Sequence, residues 1–147
     1  MKRLLILAIA SFMFASCGVT YSSLYYWGGT QNKTTTYEDL AYKNYDKQTP
    51  ESICKLICMY EDIVSNPGGS RMMPPPGICA EYGYMLLNPE NADIFAQHAT
   101  AAQKMTFSAT DYASFFPERG REMMLKEVEL YPESAKFINP LVERLSK

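Results

Sequence analysis

The sequence predicts an all-α fold of helical hairpins beginning near residue 35. Three observations carry this expectation. Apolar residues recur three and four positions apart, the period of one helix face. Several of these stretches open on a capping hydroxyl or amide, twice with proline directly after it, as at Thr49-Pro50 and Asn88-Pro89. No segment alternates apolar and polar residues well enough for a half-buried strand.

Thr35-Thr36-Tyr37-Glu38 reads as a capping box: the Thr35 hydroxyl and the Glu38 carboxylate each satisfy a free N–H at a helix start. Tyr37, Leu40, Ala41 and Tyr45 then share a face. Thr49-Pro50-Glu51 opens a second helix, whose stripe is Ile53, Leu56, Ile57, Tyr60, Ile63 and Val64. Asn66-Pro67-Gly68-Gly69 ends it, and Met72-Met73-Pro74-Pro75-Pro76-Gly77 follows as a stiff extended connector. The next helix runs from Ile78 to Leu87 with Ile78, Tyr82 and Leu86 toward the core. Gly83 leaves room for another helix to approach. After Asn88-Pro89-Glu90, the residues Ala92, Phe95, Ala96, Ala99 and Ala102 form a small-residue face for tight packing. Residues 107–116 are less regular, with a short helix expected after Thr110. Pro117-Glu118 starts a further segment with Met124, Val128 and Tyr131 on one side, and Tyr131-Pro132-Glu133-Ser134 breaks it. A last helix carries Phe137, Ile138, Leu141, Val142 and Leu145, bent at Asn139-Pro140.

The chain ahead of these helices has a different character. Lys2 and Arg3 precede an apolar run from Leu4 to Phe14, which is too short for the roughly 20 residues that cross a bilayer. The small residues Ala15-Ser16 then stand directly before Cys17. This arrangement resembles the lipobox of bacterial lipoproteins, with Phe14 where an aliphatic residue is usual. The resemblance implies a signal peptide over 1–16, removed in the mature chain, and a Cys17 that is diacylated on sulfur and acylated on its new amino group. An ordinary signal peptide, with Cys17 a plain cysteine, is the alternative. Gly18 in place of aspartate implies an outer-membrane destination, and the lack of an acidic tract implies the periplasmic leaflet. Residues 17–34 read as a tether ending in Tyr25-Tyr26-Trp27-Gly28-Gly29. Three consecutive aromatics are expected to lie against the helical body of 35–147, or else to form a belt at the lipid headgroups.

Composition narrows the partners. The chain has 14 basic and 16 acidic residues, and the leader removes two of the basic ones. A mildly acidic body without a basic stripe is a poor partner for nucleic acid, and attachment to the membrane is expected from the lipid alone. Once Cys17 is acylated, Cys54, Cys58 and Cys79 remain, an odd set. They are expected as small buried residues in helix contacts, with a disulfide from Cys54 or Cys58 to Cys79 as the alternative. Three thiols without a nearby histidine match no common zinc spacing. Met59, Met72, Met73, Met85, Met105, Met123 and Met124 could supply thioethers to copper(I), but they are scattered and suit core filling. No metal or other cofactor is expected.

Two further resemblances concern the body. Tyr82-Gly83 with Leu86, and the turn Tyr131-Pro132-Glu133-Ser134, resemble the marks of tetratricopeptide repeats. The period is irregular, and an irregular helical bundle is the alternative. The mature chain also resembles a domain-of-unknown-function family of small bacterial lipoproteins. It does so at Tyr26-Trp27-Gly28, at Pro75-Pro76-Gly77 with Ala80 and Tyr82-Gly83-Tyr84, and at Glu127 with Tyr131-Pro132-Glu133-Ser134. Such proteins are often encoded beside a lipoprotein similar to the curli secretion pore, which implies a shared outer-membrane assembly. The stretch from about Asn91 to Phe116 departs from that pattern.

No catalytic constellation is legible. His98, the one histidine, has no serine or cysteine arrangement beside it. Glu118, Glu122, Glu129 and Glu133 alternate with Arg119, Arg121 and Lys126, as on a solvated face. Glu127 neighbours the core side and is expected to cap or bridge helices, or to meet a partner. The remaining partner-contact candidates are Tyr25, Tyr26 and Trp27, and Met72 and Met73 in the connector. The expectation is a non-enzymatic, lipid-anchored envelope protein that binds other envelope lipoproteins. A periplasmic binder of a small ligand or metal, and less favourably an envelope hydrolase, are the alternatives.

Overall fold

The computed structural model describes residues 23–31 and 33–145, so the leader and Cys17 lie outside the described residues. The fold is all-α. It comprises α1 (Thr36–Asp46), α2 (Pro50–Ser65), α3 (Ile78–Leu87), α4 (Pro89–His98), the short α5 (Ala101–Lys104), α6 (Tyr112–Leu130), a 3₁₀ turn (Pro132–Ser134) and α7 (Ala135–Leu145). A two-residue antiparallel ladder, β1 (Thr30–Gln31) with β2 (Thr34–Thr35), precedes α1.

The helix starts follow local chemistry. Thr35 and Glu38 form the reciprocal cap of α1. Thr49 caps α2, with Ser52 rather than an acid as its reciprocal partner. Asn88 accepts from the Glu90 N–H, with Pro89 in the first turn of α4. Thr100 and Gln103 box the start of α5, and Asp111 accepts from Ser114 at the start of α6. The α2 stripe is buried along its length.

One proline does not act as the sequence implies: Pro117 lies inside α6, which is one continuous helix, whereas Pro140 lies within α7 as expected. Pro117 removes one backbone donor. Core contacts of Tyr112 and Phe116 on one side of it, and of Gly120 and Met123 on the other, offset that loss. Two predicted faces are narrower than expected. Tyr45 is 89% exposed while the adjacent Asn44 is half-buried, and Phe137 is 70% exposed, leaving Ile138 as the buried residue of α7. Ala96 is exposed on α4 and Ala102 is exposed in the separate α5, so Ala92, Phe95 and Ala99 are the buried members of the expected small-residue face.

The pairing of α3 with α6 organises the bundle. The two run antiparallel: the start of α3 meets Glu127, and Gly83 meets Gly120 and Met124 further up. A Cβ on Gly83 would stand 2.6 Å from the Gly120 carbonyl oxygen, and one on Gly120 would stand 2.9 Å from that of Gly83. Only paired glycines permit this approach. Helix α2 also runs antiparallel to α3: the Tyr60 hydroxyl, late in α2, reaches Glu81 in the first turn of α3, while Ile53 near the α2 start shares a hollow with Tyr84 and Met85 late in α3. Residues 88–111 are inserted between the paired helices, so the arrangement is an irregular bundle and not a run of consecutive hairpins. The insertion builds part of the core: Phe95 meets Phe107, Tyr112 and Phe116 at centroid distances of 5.3, 5.0 and 5.4 Å.

Candidate functional site

The aromatic strip, the connector, the start of α3 and the end of α6 meet at one end of the bundle. The strip is stitched down by backbone bonds. Ser70 N–H donates to the Ser23 carbonyl and Arg71 N–H to the Leu24 carbonyl, both at 3.0 Å. Gly69, at φ +76°, makes this approach possible, because a Cβ there would stand 2.6 Å from the Leu24 oxygen. Further along, Tyr37 N–H donates to the Trp27 carbonyl at 3.2 Å and Thr36 N–H to the Gly29 carbonyl at 2.8 Å.

The side chains of the strip are half-buried and engaged within the chain. The Tyr26 hydroxyl donates to Asp62 at 2.7 Å. Trp27 lies against Tyr37, with ring centroids 5.2 Å apart. Tyr25 hydrogen-bonds with Tyr131, whose own hydroxyl donates to the Pro74 carbonyl at 2.6 Å. Of the two expectations for the strip, docking against the body is the arrangement present. These three side chains therefore offer a partner only their outer edges.

Glu127 completes the junction. Gly77 caps α3 in the left-handed region at φ +88° and has no side chain to offer the free N–H groups behind it. Glu127, on α6, takes that role from across the interface. Its Oε1 accepts from Gly77 N–H at 2.8 Å, and the N–H groups of Cys79 and Ala80 also act on the carboxylate. The residue is 3% exposed, and its Oε2 has no hydrogen-bond partner among the described residues. Burial raises its pKa above the ordinary glutamate value, while the backbone N–H groups act the other way. The expected role as a helix cap is present; contact with a partner would require the junction to open.

Sequence reading missed a second network. Arg119 makes a two-point pair with Glu61, Nη2 to Oε1 at 2.7 Å and Nε to Oε2 at 3.2 Å, and reaches Glu122 at 2.8 Å. The buried Tyr82 hydroxyl donates to Glu61 Oε2 at 2.6 Å. Beside it, Tyr37 and Tyr60 both donate to Glu81, at 3.0 and 2.8 Å. Burial, reinforced by Glu81, pushes the Tyr37 phenol up to about 12. Burial and Glu61 raise Tyr82 well above its ordinary value. Trp27, Tyr37, Tyr60 and Tyr82 thus form a line of touching rings from the strip into the core. Arg119 sits in a run of alternating charges, and nothing local distinguishes it from its solvated neighbours.

The other candidates lie apart. Met72 is 69% exposed and Met73 is half-buried. The connector between them and α3 is less exposed than its composition suggests, because Pro74 and Pro75 are buried. His98 is exposed at the end of α4. Cys54, Cys58 and Cys79 are free thiols, the first and last buried. Burial pushes Cys54 up to about 11 and Cys79 up to about 12. Among the described residues, no three His, Cys, Asp or Glu side chains gather closely enough to hold a metal ion. A shallow hollow of about 450 Å³ is lined by Thr34, Thr35, Thr36, Asp39, Leu40, Lys43 and Lys55, and Lys43 is paired to Asp39 at 2.6 Å. No helix of the described residues is long and apolar enough to cross a membrane. No protein-family model, curated protein or solved structure matches the chain.

Proposed function

We propose that this chain is a non-enzymatic envelope lipoprotein, anchored to the outer membrane through Cys17 and facing the periplasm. Its helical body acts as an accessory or structural subunit of a complex with other envelope lipoproteins. The observation that carries this reading is the docked strip. Residues 23–29 follow closely on Cys17 and are bonded to the 70–71 turn, to Asp62 and to the start of α1. A strip held in this way sets which end of the body the anchored segment leaves from, which suits a subunit that presents one face to a neighbour in the same membrane. The use of the buried acids also supports the reading. Glu61 is committed to Arg119 and Tyr82, and Glu127 to the start of α3. These are bonds that hold helices together.

The test is a pull-down from intact membranes through an affinity tag after Lys147, with crosslinking and mild detergent. Recovery of a stoichiometric envelope partner is expected. Repeated recovery of the chain alone would remove the subunit role, and an N-terminal peptide without lipid mass at Cys17 would remove the anchor.

A further inference from the structure

The strip fixes which end of the body faces the anchor. Ser23 and Leu24 are bonded to Ser70 and Arg71, and only residues 18–22 separate Ser23 from Cys17. Such a segment, fully extended, reaches about 21 Å. Helix α2, of 16 residues, is about 24 Å long, and its C-terminal end lies beside the strip. With α3 and α6 antiparallel along the same axis, the turn at 69–72 lies nearest to any lipid on Cys17, and the opposite end, with Gln48 and Asn88, lies farthest.

That near end carries apolar side chains in the open. Leu24 is 58% exposed and Met72 is 69% exposed. The Arg71 N–H bond to the Leu24 carbonyl places the two on one edge. Met72 is held at φ +51°, a conformation that L-residues adopt at a cost and glycine adopts freely, yet the position carries a long apolar side chain. Arg71, bonded to Leu24 through its backbone and next to Met72 in the chain, is exposed and basic.

We propose that this edge, Leu24 with Arg71 and Met72, rests in the headgroup layer of the phospholipid bilayer that holds the Cys17 lipid. The inference deepens the lipid-anchor reading and rests on it. Leucine and methionine side chains enter the boundary between headgroups and acyl chains, while the guanidinium stays with the phosphates. Without Lys2 and Arg3 of the leader the chain keeps 12 basic and 16 acidic residues, and this excess of acid opposes a broader contact with anionic lipid and confines the contact to this edge.

Met105 supplies an internal control. It is 84% exposed and follows α5, which packs beside the middle of α2 through the Gln103 carbonyl and Cys58. The purified chain with its native N-terminus is placed in vesicles of phosphatidylethanolamine and phosphatidylglycerol and treated with dilute hydrogen peroxide. Mass spectrometry then follows sulfoxide formation at Met72 and Met105, normalised to their rates in urea, together with the mass of the Cys17 peptide. On vesicles, Met72 is expected to oxidise at least fivefold more slowly than Met105. Equal rates in molecules whose Cys17 carries lipid would overturn the inference and leave the anchor intact, as would equal protection of both methionines. A Cys17 peptide without lipid, from a chain found in the supernatant, would overturn both.

Discussion

Replacing Gly83 by alanine sets two effects of opposite sign against each other. Gly83 lies within α3, and glycine inside a helix is less favourable than alanine by about 1 kcal/mol. On helix propensity alone, Gly83→Ala should stabilise the protein. The crossing with α6 demands the reverse. The new methyl would stand 2.6 Å from the Gly120 carbonyl oxygen, 2.8 Å from Met124 Cγ and 3.1 Å from the Met124 backbone nitrogen. Two of these three are backbone atoms that cannot rotate away, so the helices must separate, and the buried Tyr82 and Leu86 lose contact with α6. Overpacking of this kind costs about 3 kcal/mol at the upper end of its usual range. Less the gain of about 1 kcal/mol, a net loss of about 2 kcal/mol remains. With a urea dependence of about 2 kcal/mol per molar, the midpoint should fall by about 1 M at unchanged slope. Circular dichroism at 222 nm during urea titration measures it. A midpoint equal to or above that of the parent chain would refute the argued crossing.

Three other outcomes are expected. Burial holds the folded pKa of Glu127 above its ordinary value of 4.5, so the folded chain binds this proton more tightly than the unfolded chain. The stability that follows is complete below about pH 4.5 and is lost as pH rises through the folded pKa. Glu127→Gln keeps an acceptor for the Gly77 N–H and abolishes that loss; urea midpoints measured from pH 4 to 7 should move in favour of the variant over this window, and a constant difference would count against it. Arg119→Ala leaves Glu61 largely buried without its cation and should cost about 3 kcal/mol, whereas Glu61→Gln with Arg119→Met should recover much of the loss, as read by the same titrations. Among Cys54, Cys58 and Cys79 in the folded chain, a thiol reagent at pH 8 should modify the half-buried Cys58 first and leave Cys54 and Cys79 nearly inert, since burial pushes them up to about 11 and about 12. All three should react in urea, and rapid native modification of Cys79 would contradict its burial.

What the sequence discloses here depends on the range of the interaction. A helix start is settled within four residues, so Thr35 with Glu38 and Asn88 with Pro89 are legible as they stand. The α2 stripe is legible for the same reason, because its period lies within one element. Gly83 is legible as a small residue awaiting a neighbour, but Gly120, its counterpart, becomes meaningful only once α3 and α6 are known to cross. Gly77 and Glu127 stand in the same relation. The absent side chain at the head of α3 and the acid supplied by α6 are 50 positions apart, and neither names the other. Pro117 shows a local rule overruled: proline argues for a break, and the aromatic cluster around Phe116 holds the helix through it. Arg119 gives no signal, since a buried guanidinium and a solvated one have the same neighbours in sequence.

The docked strip bears on the choice among the proposed activities. Ordering a backbone costs about 1–2 kcal/mol per residue, so holding residues 23–29 in place requires compensating contacts. Those contacts are present: Trp27 on Tyr37, Tyr26 on Asp62, Tyr25 on Tyr131, and the backbone bonds to Ser70, Arg71 and Thr36. An enzyme or carrier for a small diffusing molecule gains nothing from a docked strip, because its ligand arrives from any direction, and a loose polar linker would serve it equally well. A subunit that must present one face to a neighbour held in the same membrane gains directly, since each degree of freedom removed beforehand is one that assembly need not remove. The residues that fasten the strip are also joined to the cap of α3, through Tyr131, Pro74 and Gly77 to Glu127. A load on residues 23–29 therefore passes into α2, α3 and α6 together.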